Sequence, residues 1–138
     1  MKFCGLLLFV TLLLCVAAAL AKDDVTLLAF EVLTVLKCAA TSGDQALCDR
    51  FEQCTAILTQ PYLDVYQSCV VEVLGNDDIG KCTSDEELYF SEINRKKIND
   101  CIRLNAPENL SDSQEDEMDQ YKDCIDKLGD DCLGDQRK

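Results

Sequence analysis

Residues 25–38 read VTLLAFEVLTVLKC, and their apolar side chains encircle the axis when the stretch is wound as a helix. Thr26, Thr34 and Lys37 form the clearest polar stripe, and Phe30 interrupts it. The other large residues would all need apolar partners: Val25, Leu28, Val32, Leu33, Val35 and Leu36. The stretch therefore predicts a buried central helix, around which the later helices wrap.

The chain begins with a segment typical of a secretory leader. Met1 and Lys2 form a short positive region, residues 3–20 are apolar or small, and Ala19-Leu20-Ala21 fits an A-x-A cleavage site. A membrane anchor is the alternative, because a bilayer helix needs roughly 20 apolar residues. The charged run Lys22-Asp23-Asp24 favours cleavage. We expect a signal peptide at 1–21 and one secreted, extracellular domain at 22–138.

The composition is strongly acidic, with 26 Asp and Glu, 13 Lys and Arg, no histidine and a net charge of −13. Such a surface repels phosphates, which excludes nucleic acid and anionic membranes as partners. Residues 25–38 would reach only about 21 Å across a hydrocarbon core of roughly 30 Å. We therefore expect a domain with no membrane insertion and no nucleic acid partner.

Cysteine usage indicates a disulfide framework. Eight of the ten cysteines lie after the leader: Cys38, Cys48, Cys54, Cys69, Cys82, Cys101, Cys124 and Cys132. An even set in a secreted chain predicts four disulfides. A metal site is the alternative, but zinc-type spacing is missing because the chain has no C-x-x-C pair and no histidine.

Cap and breaker residues divide the rest of the domain into four more helices. The second is expected after Ser42-Gly43-Asp44, and the third runs from Pro61 to a stop at Gly75, before a loop at 75–81. The second helix has a core stripe of Leu47, Phe51, Cys54 and Leu58. The third has Tyr62, Tyr66, Cys69, Val70, Val73 and Leu74. Both stripes have helical period.

The fourth helix is predicted to open with a capping box formed by Ser84 and Glu87 and to end before Pro107. Its expected inner face is Phe90, Ile93, Cys101 and Leu104, with Ile98 and Ile102 beside them. The last helix begins at Ser111 or Ser113, and glycines at 129 and 134 are expected to fray its end. Its stripe is Met118, Tyr121, Ile125, Leu128 and Cys132.

No window alternates apolar and polar residues with period two, so the sequence predicts an all-α fold. The expected architecture is a compact bundle of about five helices stapled by four disulfides. Antiparallel packing of consecutive helices would pair Cys38 with Cys48, Cys54 with Cys69, Cys82 with Cys132 and, by elimination, Cys101 with Cys124. In that arrangement Cys101 and Cys124 would sit at different heights on adjacent helices. Because eight cysteines allow 105 connectivities, the other possible pairings stay open.

No residue pattern indicates catalysis. The absence of histidine rules out catalytic triads and histidine-dependent phospholipases and ribonucleases. Paired carboxylates of the glycosidase kind would remain, but no acid pair stands isolated in an apolar setting. Acids cluster at residues 76–86 and 112–119, and neither stretch fits the twelve-residue calcium loop. We predict no enzyme, no catalytic residue, no metal site and no cofactor.

Two surface features have more than one interpretation. Arg95-Lys96-Lys97, with Arg103, is the densest basic run, and it could dock an acidic partner. The interpretation we favour pairs it with acids of the last helix. Asn109-Leu110-Ser111 is a sequon, which makes Asn109 a candidate glycosylation site.

A leader, short helices, scattered cysteines and an acidic chain together resemble the small cysteine-rich helical proteins secreted by arthropods, as in arachnid venom, saliva or haemolymph. The stretch Leu88-Tyr89-Phe90, with Ile93, Ile98 and Cys101, is faintly similar to the tick antimicrobial microplusin. Microplusin is histidine-rich, so its metal chelation does not carry over. Insect odorant-binding proteins are another disulfide-locked group, but their C-x-x-x-C pair is missing here.

The resemblance implies a toxin-like, non-enzymatic binding protein, of which the preferred form is an effector that contacts another protein through its surface. One alternative is a carrier that encloses a small apolar ligand. Its cavity would be lined by aromatic residues such as Phe30, Phe51, Tyr62, Tyr66 and Phe90. A structural component of an extracellular material is the third class.

Overall fold

The computed structural model describes residues 29–134. Helix α1 occupies the described residues 29–40, and the others are α2 (Gln45–Thr55), α3 (Gln60–Leu74), α4 (Glu92–Asn105) and α5 (Asp112–Leu133). These residues contain no strand, and the predicted all-α bundle of about five helices is confirmed. The predicted signal peptide at 1–21 and the first part of the predicted central helix lie outside the described residues.

Helix α1 has one buried face. Val35, Leu36, Ala39 and Ala40 are each at most 6% exposed, whereas Phe30 is 71% exposed. The prediction that neighbours would surround this helix is therefore wrong for its described part. The other helices cover one side of α1, and its exposed side carries Thr34 and Lys37 of the predicted polar stripe together with Phe30.

The start of α2 and both ends of α3 lie within one residue of the sequence expectation, but α2 already ends at Thr55, so Leu58 of its predicted stripe lies outside the helix. The side chain of Asp44 accepts a hydrogen bond from the Ala46 amide at 2.9 Å and caps α2. Pro61 lies in the first turn of α3, and Gly75 ends that helix in the left-handed region with φ of 80°. Its amide donates to the carbonyl of Val71 at 2.9 Å, as a glycine cap does.

The predicted start of the fourth helix is wrong. Helix α4 begins at Glu92, after Ser91, whose hydroxyl accepts from the Asn94 amide at 3.1 Å. The segment around Ser84 is a turn instead, in which the Thr83 hydroxyl accepts from two backbone amides. A helix from Ser84 would have to run through residues 89 and 90, whose φ values of 60° and 64° are left-handed.

The predicted inner face of this helix is confirmed for Ile98, Cys101 and Ile102, which belong to the core or pack against it, and is wrong for the other residues. Ile93 is 66% exposed and Leu104 is 73% exposed, whereas Ile98 and Arg95 are buried. Phe90 lies before the helix and is 43% exposed. The helix packs against α3, so the side that faces α3 is the buried one.

Helix α5 begins at Asp112, and its N-cap Ser111 forms a capping box with Gln114. Its predicted stripe is confirmed, with Tyr121, Ile125, Leu128 and Cys132 buried and Met118 half-buried. The expectation that Gly129 frays the end is wrong, because the helix continues to Leu133. A Cβ atom on Gly129 would lie 2.9 Å from the Cγ2 atom of Val35, so this glycine lets α1 and α5 approach closely.

The structure joins the eight cysteines in four disulfides, as the predicted fold class states. The pairs are Cys38–Cys132, Cys48–Cys82, Cys54–Cys124 and Cys69–Cys101. None of the four pairs derived from antiparallel neighbours is present. Helix α2 packs against α5 and α3 against α4, so most bridges join elements that are distant in the sequence.

Candidate functional site

Side chains from all five helices line a partly open cavity of about 100 Å³. Its wall is mostly apolar, and the contributors include Val32, Leu36, Phe51, Leu58, Ile98, Ile102 and Met118. The short segment before α4 adds Tyr89. Because every helix supplies part of the wall, the disulfides between the helices hold its shape.

All four tyrosines of the chain line this cavity, which we call the tyrosine cavity: Tyr62, Tyr66, Tyr89 and Tyr121. The hydroxyls of Tyr66 and Tyr89 lie 2.8 Å apart and share a hydrogen bond. Tyr89 and Tyr121 are buried, at 1% and 6% exposure. The cavity therefore combines an apolar wall with a small group of hydroxyls.

The aromatic residues expected in a carrier cavity are only partly brought together. Phe51, Tyr62 and Tyr66 line the cavity, whereas Phe30 and Phe90 are exposed at the surface. Sequence reasoning missed Tyr89 as a lining residue and treated Tyr121 as ordinary core. The available signal was that the other two tyrosines share one helical face, which hints at a common environment.

Burial keeps the tyrosine hydroxyls in their neutral form. Desolvation raises the pKa of Tyr121, and the neighbouring Tyr66 raises it further. Desolvation also raises the pKa of Tyr89 well above its ordinary value, with additional contributions from Tyr66. For Tyr66 the same desolvation prevails over the hydrogen bond to Tyr89, which acts in the opposite direction. These groups are therefore hydrogen-bond donors across the physiological range.

The backbone of Tyr89 is held in a conformation that costs about 1–3 kcal/mol for a non-glycine residue. Its amide donates to the carbonyl of Ile79 at 2.7 Å, and its carbonyl accepts from the Asn94 side chain at 2.9 Å. These contacts fix the left-handed turn. This backbone conformation places the Tyr89 ring in the cavity wall.

The basic run at 95–97 does not form one surface patch, because Lys96 and Lys97 are exposed but Arg95 is buried. Arg95 is 1% exposed, its Nη1 donates to the carbonyl of Leu88 at 2.9 Å, and its Nη2 pairs with Glu87 at 2.9 Å. Lys96 pairs with Glu92 of the same helix at 3.1 Å, and Arg103 lies 3.7 Å from Asp100. Pairing with acids of the last helix was the favoured interpretation, and it is wrong for these three residues.

The solvent side of α4 exposes two large apolar side chains. Ile93 and Leu104 are eleven residues apart, which places them within about 20° of one another around the helix and about 16 Å apart along it. Lys97 and Asp100 lie between them and are also exposed. We call these four residues the α4 outer face.

Three other features bear on possible sites: metal-binding groups, membrane-spanning helices and the glycosylation sequon. Within residues 29–134, no group of three or more acidic, cysteine or histidine side chains is arranged to hold a metal ion. No helix in that range is long and apolar enough to cross a membrane. Asn109 is exposed between α4 and α5, and Ser111 of its sequon is the N-cap of α5. Its glycosylation stays a prediction.

Comparison with protein-family models matches residues 26–133 to the family described as Hi1a-like: U10-hexatoxin-Hi1a. The match defines a cysteine-rich protein of the arthropod venom type, in agreement with the resemblance noted in the sequence. The chain belongs to the Hi1a-like family. No curated protein and no solved structure matches it. The resemblance to microplusin is not supported by these comparisons.

Proposed function

We propose that the protein is a secreted, non-enzymatic venom effector that acts by binding a target protein through its surface. The observation that carries the proposal is the family match, which extends over residues 26–133 and so includes all of the described helices. The lack of histidine supports a binding role, since the usual general base is missing. All eight cysteines after the leader are disulfide-bonded, so they supply no nucleophilic thiol.

The α4 outer face is the surface we assign to the target. Exposed apolar side chains on a rigid element bind with little loss of conformational freedom, and a few such residues supply most of the affinity of an interface. Helix α4 is fixed to α3 by the Cys69–Cys101 disulfide and to the preceding turn by Arg95. Ile93 and Leu104 are therefore presented at a set distance from each other.

The experiment compares the wild-type protein with the double variant Ile93→Ser, Leu104→Ser. Both are expressed in secreted, oxidised form, and each is used to capture proteins from solubilised arthropod tissue. Val71→Ser is the matched control, because Val71 is 48% exposed on a different helix. A captured protein counts only after it has been purified and titrated against all three. We expect the double variant to bind at least about tenfold more weakly, as loss of two central apolar contacts does.

Three results would contradict the proposal. Unchanged affinity in the double variant would place the contact away from the α4 outer face. The effector interpretation itself would be wrong if no purified target bound saturably. It would also be wrong if the protein had hydrolase activity that vanished when one Asp or Glu was changed to its amide.

The proposal also includes removal of residues 1–21. The secreted protein should then begin at Lys22, and intact-mass measurement of the oxidised product checks this directly. The same spectrum shows whether Asn109 carries a glycan, through a mass increase that disappears in Asn109→Gln. A secreted product that retains the apolar leader would contradict the expected cleavage.

A further inference from the structure

The tyrosine cavity contains more hydrogen-bond donors than the described protein groups accept. Tyr66 and Tyr89 share one hydrogen bond, so one hydroxyl donates and the other keeps a free hydrogen. The Tyr121 hydroxyl forms no hydrogen bond with a described residue, and it keeps some access to solvent although the residue as a whole is only 6% exposed. Arg95 also lines the cavity, and its Nε is the one fully buried side-chain nitrogen or oxygen without a partner in the described chain. Buried donors are normally satisfied, and Arg95 Nε is the fully buried one that is not, so a molecule with an acceptor would find donors in this cavity.

The electrostatics of the cavity favour a neutral occupant. The pKa of Tyr89 and that of Tyr66 are both raised chiefly by desolvation, and the carboxylate of Glu52 raises them further. Desolvation and the nearby carboxylate disfavour a phenolate, and for the same reasons they disfavour any bound anion. Glu87 neutralises the charge of Arg95 at 2.9 Å, so this arginine does not reverse the preference.

The size of the cavity favours a small ring or a branched chain. Its volume is about 100 Å³, and its wall is predominantly apolar. An apolar protein cavity of roughly 150 Å³ stays free of water and binds benzene. The tyrosine cavity is smaller but partly open, so a six-membered ring with one polar substituent is the largest occupant that the proposal allows.

We propose that the tyrosine cavity is a binding site for a small, neutral, mainly apolar molecule with one hydrogen-bond acceptor, which the hydroxyls of Tyr66, Tyr89 and Tyr121 hold. The strained backbone at Tyr89 supports the assignment, because strain of this kind is concentrated where a side chain has a task. The site lies inside the bundle and is separate from the α4 outer face. It goes beyond the proposed action on a target protein and does not depend on it.

Two matched probes test the role of the acceptor. Cyclohexanone and methylenecyclohexane have nearly the same shape, but only the ketone carries an acceptor. The chain has no tryptophan, and all four tyrosines line the cavity, so intrinsic tyrosine emission reports on this site. We expect saturable binding of cyclohexanone and at least about tenfold weaker binding of methylenecyclohexane. N-acetyltyrosinamide controls for quenching by the free probe.

A third probe tests the preference for a neutral ligand. Cyclohexanecarboxylate has the same ring and a negative charge at neutral pH. We expect it to bind more weakly than cyclohexanone, because its charge would be desolvated beside the neutral hydroxyls and the carboxylate of Glu52. Equal or tighter binding of the carboxylate would overturn the neutral class of ligand.

Isosteric variants test which residues hold the acceptor. Tyr121→Phe and Tyr66→Phe remove hydroxyls while keeping the rings, and we expect each to reduce the affinity for cyclohexanone several-fold and to leave methylenecyclohexane unaffected. Tyr62→Phe is the matched control, since Tyr62 is half-exposed and its hydroxyl has no hydrogen bond to the other three. The assignment would be wrong if all three variants reduced the affinity for cyclohexanone equally, or if none of them reduced it.

Cavity-filling variants test the location. Ile102→Phe enlarges a lining residue on α4, and Ile93→Phe makes the same change on the exposed side of that helix. Ile102→Phe should abolish binding of both uncharged probes, and Ile93→Phe should bind them like the wild type. If no probe changes the tyrosine emission, the cavity takes up no ligand of this class and the proposal is wrong. Equal affinities for the ketone and the hydrocarbon would show that the tyrosine hydroxyls do not hold an acceptor of the ligand. The proposal would then be wrong.

Discussion

Arg95 shows how a single contact decides the role of a residue. In the sequence it opens a basic run, and such runs are usually solvated. In the structure its guanidinium is buried because Glu87 and the carbonyl of Leu88 satisfy both of its terminal nitrogens. A buried charge without such partners is strongly unfavourable. The partners come directly before the left-handed residues Tyr89 and Phe90, an arrangement that helical periodicity does not predict.

Glu87→Gln tests this buried pair. The amide keeps an acceptor near Arg95 but removes the compensating charge, so the guanidinium remains buried and unpaired. We expect the free energy of unfolding to fall by about 2 kcal/mol, less than for a fully enclosed pair because the Glu87 side chain is 35% exposed. Urea denaturation of the oxidised protein measures this. Glu86→Gln is the control, and its effect should stay within about 0.5 kcal/mol. Equal effects of the two substitutions would contradict the role of the ion pair.

The buried tyrosines should make the protein sensitive to alkali. Desolvation raises the pKa of Tyr66, Tyr89 and Tyr121 above the ordinary value of 10.0. Above about pH 10 the unfolded chain loses these protons while the folded protein keeps them, so the free energy of unfolding is undiminished below pH 10 and falls above it. Phenolate absorbance at 295 nm after rapid pH jumps should show Tyr62 ionising first and the other three only with unfolding. Four tyrosines that titrate together in the folded state would contradict this prediction.

At the scale of single elements, the sequence predicts most helices but misplaces the end of α2 and the start of α4. Ser84 and Ser91 both precede apolar residues at helical spacing, and the first also has a Glu three positions later. The deciding interaction is the hydrogen bond from the Tyr89 amide to the carbonyl of Ile79, which fixes the left-handed turn. Because that contact is tertiary, local capping rules could not identify the true start at Glu92.

The contact between α1 and α5 depends on a residue without a side chain. Replacing a glycine inside a helix with alanine usually stabilises it by about 1 kcal/mol. Here the added methyl would lie 2.9 Å from the Cγ2 atom of Val35, so we expect Gly129→Ala to lower the free energy of unfolding by about 1–3 kcal/mol. The measurement is urea denaturation of the oxidised protein.

The same substitution in a Val35→Ala background provides the control. Without the opposing methyl groups, Gly129→Ala should be neutral or stabilising, and the double-mutant cycle should give a coupling energy of at least about 1 kcal/mol. Additive effects, or a stabilised Gly129→Ala single variant, would show that the helices are not in close contact at this position.

At the scale of the whole molecule, the sequence predicts the class of fold and the presence of four disulfides but not the packing order. Helical periodicity shows which face of α2 is buried, through Phe51 and Cys54, but not that the partner is α5. The tyrosine cavity was missed for the same reason, since Tyr66, Tyr89 and Tyr121 meet only after α3, the turn and α5 have assembled. Contacts between distant elements carry no signal in a single sequence.

The disulfide connectivity can be tested by tryptic digestion without reduction, in denaturant at mildly acidic pH with free thiols blocked. Cleavage after lysine and arginine places Cys38 and Cys48 on peptide 38–50, and Cys54 and Cys69 on peptide 51–81. The other four cysteines fall on separate peptides: 82–95, 98–103, 123–127 and 128–137. The bridges of the structure therefore predict two clusters of three peptides each, one held by Cys38–Cys132 with Cys48–Cys82 and one by Cys54–Cys124 with Cys69–Cys101.

Pairing of consecutive helices would give a different set of masses. Peptides 38–50 and 51–81 would each contain an internal bridge and migrate alone, and the remaining four peptides would form two linked pairs. Alkylation of the intact protein before reduction should add no label, and reduction should then expose eight thiols, because every cysteine after the leader is bridged. The two three-peptide clusters should collapse to six single peptides on reduction. Free peptide 38–50 in the unreduced digest would contradict the contact of α1 with α5, because Cys38–Cys132 is the covalent link between those helices.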